Sequence, residues 1–196
     1  AVYPLSQHIG TPAVPVVSVG DRVRAGQKLA EAGGFVSAPI YSAFSGTVRA
    51  LEPRTAAGGE TVPCIVLETD AETEWIDPRF DPATSDVFNA SSVAAYMASG
   101  APEHLTAEDI RAAVREAGVV GLGGAGFPTS VKLTPKNPDA IDRLIVNGAE
   151  CEPYLTSDHR LMLERGEALV AGCRLLLRLF PDAVCVLAVE NNKPDA

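Results

Sequence analysis

Tryptophan occurs once in these 196 residues, methionine twice, histidine three times and cysteine four times, and aromatic residues make up only 6%. Positive charge is scarce: 16 Lys and Arg stand against 25 Asp and Glu, a formal net charge of -9. A nucleic-acid surface needs clustered basic side chains to neutralise phosphates, so that class is excluded. Long hydrophobic runs are missing too. Stretches such as Ala183-Val-Cys-Val-Leu-Ala-Val189 fall far short of the roughly 20 apolar residues that cross a bilayer. Cys64, Cys151, Cys173 and Cys185 form no C-x-x-C pair, so no metal or cluster site is expected in this fragment. Cys173 and Cys185 read as buried thiols in apolar runs, whereas Cys151 lies in a polar turn. The opening Ala1-Val-Tyr-Pro4 carries no basic, apolar leader, and the expectation is a chain cut from something longer.

What is present is glycine, concentrated where it matters. Five glycines fall within residues 118 to 126, in Gly118-Val-Val-Gly121-Leu-Gly123-Gly124-Ala-Gly126, followed by Phe127-Pro-Thr129-Ser-Val-Lys132. Such a loop can adopt positive φ and bring bare N–H groups close to a ligand. Gly121-x-Gly123-x-x-Gly126 matches the dinucleotide fingerprint in letters only, since that fingerprint needs a strand before it and a helix start within it. Here a helix precedes the loop and Phe127-Pro128 follows it.

Along the chain, residues 1 to 70 read as an all-β module. Val14 to Val19, Lys28 to Ala30, Gly46 to Leu51 and Cys64 to Leu67 are β-rich and separated by Gly and Pro punctuation. Residues 71 to 105 form an acidic, proline-containing linker region with a short helix near Ser91 to Ser99, and Trp75 is expected to anchor the packing between modules. An α/β segment occupies residues 106 to 196. Thr106 and Asp109 resemble a capping box, Ile110, Ala113, Val114 and Ala117 share one helical face, and Gly118 ends that helix. Leu144-Ile-Val146 and Ala183 to Val189 read as buried strands lying side by side and parallel. Thr156-Ser-Asp158 supplies helix-start chemistry, Gly166 marks a break, and Leu169, Cys173, Leu176, Leu177 and Phe180 form one apolar face. Polar turns, Asn147 to Glu152 and Glu190 to Lys193, leave the strand ends where ligands sit in open α/β sheets.

Bare N–H groups with Lys132 suit a phosphate, and amides with carboxylates suit hydroxyls and ring N–H groups. A phosphorylated ribityl flavin needs both. At these residues the sequence is similar to known families. Gly123-Gly-Ala-Gly126-Phe-Pro-Thr129-x-x-Lys132 and Asn147-Gly-Ala-Glu150-Cys-Glu152-Pro153 look like the flavin loops of the flavin-carrying NADH dehydrogenase subunit of respiratory complex I. The longer string Leu144 to Met162, preceded by Val19-Gly20-Asp21 to Ala30, Ala38-Pro39 and Ser45-Gly46-Thr-Val48, resembles the C subunit of the bacterial Rnf electron-transport complex. The early phrases are those of the barrel-sandwich hybrid found in biotinyl and lipoyl carriers, yet no lysine occurs between Leu29 and Glu60, where a carrier would be modified.

The resemblance implies an N-terminal all-β barrel-sandwich hybrid followed by an α/β, Rossmann-like flavin-binding domain with a short parallel sheet. It implies FMN as cofactor, held by Gly123, Gly124, Gly126, Lys132, Asn147, Glu150 and Asn191, with NAD(H) as substrate beside Phe127 and Glu152. It also implies a peripheral protein on the cytoplasmic side of the bacterial inner membrane. Its partners would be the other subunits of an ion-pumping complex and, indirectly, ferredoxin. Two 4Fe-4S clusters belong to later domains of the family and not to this chain. Leu122 stands where the complex I pattern has Arg, and Ala149 where it has Asp. Rival readings are an assembly and docking scaffold of the same complex and a cobalamin-reductase-type flavoprotein, in which the carrier-like module follows the flavin domain.

Overall fold

The computed structural model describes residues 1–76, 104–150 and 152–196. The proposed helix near Ser91 to Ser99 and the thiol of Cys151 lie outside them. Contacts divide the described chain into two units: residues 1–76 with 111–134, and 104–110 with 135–196. The glycine loop therefore packs with the barrel, whereas its sequence context had suggested the following domain.

In the first unit, β1 (Val2–Pro4), β7 (Thr61–Thr69), β6 (Gly46–Thr55) and β3 (Arg22–Val23) form one antiparallel sheet in that order. A second sheet is ordered β2 (Val14–Pro15), β4 (Lys28–Glu31), β5 (Ile40–Tyr41). Alternation along the strands turns Val23, Leu29, Val48, Ile65 and Leu67 inward, and these side chains are at most 2% exposed. Burying each contributes on the order of 1.5–3 kcal/mol. The strand expected over Val14 to Val19 is confined to Val14–Pro15. The β6–β7 hairpin runs further than expected, to the pair Thr55↔Thr61, and closes with Gly59 at φ 84°.

Trp75 bridges in parallel to Ala25 and lies over Gly26, so among the described residues it packs on the barrel. Helix α1 (Ala107–Glu116) begins with the expected box: Asp109 N–H donates to Thr106 Oγ1 at 3.2 Å and Thr106 N–H donates to Asp109 Oδ2 at 2.8 Å. Its last turn docks on the barrel. Arg115 donates to the Gly34 carbonyl at 3.2 Å, Tyr41 Oη donates to the Glu116 carbonyl, and Lys28 pairs with the carboxylates of Glu116 and Glu31. Lys28, the lysine nearest a carrier position, is thereby committed to ion pairs.

In the second unit β8 (Arg143–Asn147) and β9 (Val184–Ala188) pair in parallel, with Asn147 opposite Ala188. They are not the buried strands the apolar runs suggested: Ile145 is 63% and Val184 62% exposed. Among the described residues this sheet has only two strands, and the face carrying Ile145, Val184 and Val186 is exposed. Helix α3 (Ser157–Leu177) runs through the predicted break at Gly166, but Arg165 departs to φ -131°, ψ 26° and kinks it there. Phe180 and Leu179, at 4% exposure each, close the turn after the helix.

Candidate functional site

The glycine loop grows out of α1 and is closed at its base by the bridge Val120↔Pro128, with Gly121 N–H donating to the Phe127 carbonyl at 2.8 Å. The short helix α2 (Thr129–Lys132) follows and carries Lys132. Two glycines have reasons internal to the fold. Gly126 has φ 58°, and a Cβ there would lie 2.7 Å from the Gln7 carbonyl oxygen and 3.0 Å from His8 Cα. A Cβ on Gly121 would lie 3.0 Å from Lys132 Nζ, so that glycine makes room for the folded-back lysine.

Gly123 and Gly124 differ: nothing stands within 4 Å of a Cβ at either, and the neighbouring Leu122 is 95% exposed. The tip of the loop is thus open backbone beside an exposed lysine. Lys132 Nζ lies 5.9 Å from the centroid of the half-buried Phe127 ring, a cation–π distance. One face of the ring expected to stack on NADH is met by this ammonium group.

In the second unit the two polar turns leave neighbouring strand ends, as the parallel pairing required. Gly148 N–H donates to the Ala188 carbonyl at 2.8 Å, and Asn147 Oδ1 accepts from Ala149 N–H at 3.1 Å, leaving the amide nitrogen of Asn147 on an exposed side chain. Asn191 and Glu152 are exposed as well. Glu150 is not: it is 6% exposed and caps α3. Its Oε1 accepts from Asp158 N–H at 2.7 Å and from Ser157 Oγ at 3.4 Å. Thr156, the expected cap, makes no side-chain cap bond. Glu150 Oε2 meets Lys193 Nζ at 3.0 Å.

Burial pushes the Glu150 carboxyl up, but the hydrogen bonds from Lys193 and from the Asp158 and His159 backbone outweigh it, and the group sits below the usual carboxylate range. Lys193 was not assigned a role from sequence. The available signal was a lone cation after a β-strand, opposite a conspicuous Glu in the neighbouring turn. His159 lies in the first turn of α3 and pairs with Asp195 at 3.0 Å.

Open N–H groups beside an ammonium, in one unit, and exposed amides at parallel strand ends, in the other, are donor sets that fit a phosphate and a hydrogen-bonding ring system respectively. Among the described residues no group of His, Cys, Asp or Glu could hold a metal ion, and no helix is long and apolar enough to cross a membrane.

Known proteins match both the barrel and the α/β segment. Residues 114–196 match the Nuo51 FMN-binding domain, and residues 1–72 match the RnfC barrel sandwich hybrid domain. The class is therefore a barrel-sandwich module joined to a flavin domain of the complex I type. Over all of its length the chain is 40% identical to the C subunit of the Na(+)-translocating ferredoxin:NAD(+) oxidoreductase complex of Acetobacterium woodii, covering 40% of that protein. It is 38% identical to the C subunit of the proton-translocating ferredoxin:NAD(+) oxidoreductase complex of Clostridium ljungdahlii, over 98% of this chain and 38% of the relative. With the C subunit of the ion-translocating oxidoreductase complex of Rhodobacter capsulatus the identity is 40%, over 98% of this chain and 34% of the relative. The chain is thus similar to these C subunits along its whole length, and it spans well under half the length of these relatives.

Proposed function

We propose that this chain is the FMN-binding, electron-entry part of an ion-translocating ferredoxin:NAD oxidoreductase complex, peripheral on the cytoplasmic side of the bacterial inner membrane. The observation that carries the reading is the pair of amide-bearing turns, Asn147 to Glu150 and Glu190 to Lys193, at the C-terminal ends of parallel strands inside a segment that matches an FMN-binding domain. Bound flavin would supply hydride acceptance from NADH and one-electron release to clusters elsewhere in the complex. The chain's own part is binding and orientation. Gly123, Gly124 and Gly126 with Lys132 are assigned to the phosphate, Asn147 and Asn191 to polar edges of the flavin, and Glu150 to holding its turn. Phe127 and Glu152 are assigned to NADH, and the other subunits and ferredoxin to partnership in the complex.

The scaffold reading has one observation in its favour: both carboxylate oxygens of Glu150 are already engaged within the protein. A titration separates the two. The intact polypeptide is mixed with FMN, flavin fluorescence is followed, and NADH is then added without oxygen. Quenching that Lys132→Ala abolishes, followed by bleaching of the flavin absorbance, is the expected result. Absence of quenching at high micromolar flavin would leave the scaffold reading standing.

A further inference from the structure

Three turns of the second unit meet around one side chain. Glu150 lies beyond the end of β8, Lys193 beyond the end of β9, and Ser157 and Asp158 open α3. The Glu150 side chain is 1% exposed and that of Lys193 15%, so the pair is withdrawn from water although both residues belong to surface turns. The other charged groups nearby are Glu190, 3.7 Å from Lys193, and the His159–Asp195 pair on the same helix end. A carboxylate so enclosed is costly unless each oxygen is met, and breaking such a pair from one side is far more disruptive than neutralising both partners.

Lys193 also makes a connection the backbone does not. Hydrogen bonds pin the Asn147 turn to Ala188 at Gly148, and a Cβ at Gly148 would lie 2.9 Å from Met162 Sδ, which fixes the start of that turn. The 190–193 turn is held within itself by Lys193 N–H donating to the Glu190 carbonyl at 3.1 Å. The ammonium of Lys193 is the side-chain tie from the Asn191 turn to the Asn147 turn. Those two turns present the exposed amides of Asn147 and Asn191.

We propose that Lys193 is a positioning residue for the flavin: through its ion pair with Glu150 it sets the Asn191 turn against the Asn147 turn and compensates the one enclosed carboxylate of the site. This rests on the reading that Asn147 and Asn191 contact FMN. The role assigned to Lys193 is indirect, acting through Glu150, and so it makes a specific claim about coupling between the two.

A double-mutant cycle in the intact polypeptide tests it, with wild type, K193M, E150Q and the E150Q/K193M pair compared for FMN affinity by fluorescence and for the reduction potential of bound flavin. K193M is expected to weaken FMN binding about tenfold or more and to move the flavin potential negative, because it leaves the enclosed carboxylate uncompensated. K193R is expected to restore affinity to within about threefold, since guanidinium keeps the charge. In the E150Q background, loss of Lys193 is expected to change neither quantity. Equal costs of K193M in both backgrounds would overturn the proposal, because Lys193 would then act without Glu150. Should K193M alone fail to fold, the comparison of E150Q with the pair still decides. A flavin-free arm keeps the inference separate from the functional reading: carbon NMR of the Glu150 carboxyl is expected to show a titration in K193M at higher pH than in wild type. An unchanged titration overturns the coupling, whereas a shifted titration with no flavin binding in wild type sinks only the flavin reading.

Discussion

Lys193 Nζ lies 3.0 Å from Glu150 Oε2, joining residues that stand beyond the ends of two adjacent parallel strands. Glu150 is held below the usual carboxylate range, and Lys193, by the same hydrogen bond first of all, above the usual lysine value. A carboxylate with a depressed folded pKa contributes stability that is present above its unfolded value and is lost as pH falls through the folded one. The lysine contribution is present below its unfolded value and is lost as pH rises through its raised one. The difference in urea midpoint between wild type and Glu150→Gln should therefore be widest at neutral pH and shrink on acidification below roughly pH 4. A difference that stays constant across that range would refute the ionic origin of the contact.

The tip and the end of the glycine loop should respond differently to the same substitution. Gly126→Ala places a methyl 2.7 Å from a backbone oxygen at φ 58° and should cost about 1–3 kcal/mol of stability whatever the loop binds. Gly123→Ala meets nothing within 4 Å and should leave the unfolding midpoint unchanged while weakening FMN, because its methyl would stand between the open backbone and the phosphate. Paired denaturation and flavin titrations check both. Unaltered FMN affinity in Gly123→Ala would remove that residue from the phosphate contacts.

The contrast shows how far sequence reasoning reached. Spacing found the capping box of α1, the parallel β8–β9 pair and the polar turns at its end, because each is written in local pattern: Thr106 and Asp109 three apart, apolar runs of strand length, Asn and Glu just after them. It could not separate glycines needed by packing from glycines left open, since Gly126 meets Gln7 and His8 from over a hundred positions away. Nor could it show that Glu150 caps α3 in place of Thr156, or that Lys193 closes on it, because both depend on tertiary approach between turns. The open sheet face was hidden for a related reason. An apolar run signals a strand but says nothing of what packs on each of its faces.

Docking of α1 on the barrel gives a third prediction. Tyr41 Oη donates to the backbone carbonyl of Glu116 and reaches its Oε1 only at 3.5 Å, so the main contact is with the backbone. Tyr41→Phe should destabilise the first unit by about 0.5–1.5 kcal/mol, read from a urea transition followed by barrel signals. Glu116→Gln, which keeps the carbonyl and weakens an exposed ion pair with Lys28, should cost less, about 0–1 kcal/mol. The reverse order would place the main tie in the ion pair.

Tyr154 carries the only positive φ of a non-glycine among the described residues, 65°, and its side chain is fully exposed. An L residue in this region costs roughly 1–2 kcal/mol, and the exposed ring recovers none of it by burial. Glycine removes that steric cost while adding about 0.5–1 kcal/mol of chain entropy to be lost on folding. Tyr154→Gly should consequently stabilise the second unit by about 0.5–1 kcal/mol, a rise of about 2–8 °C in Tm for a unit of this size. Thermal unfolding of the two proteins checks the sign, and a lower Tm in the variant would contradict the left-handed assignment. The position follows directly on Glu152 and Pro153, at the turn assigned to NADH, and strained residues persist where the surroundings use them. A Tyr154→Gly protein that is more stable yet binds NADH more weakly would show that the ring is held in its strained place for the nucleotide.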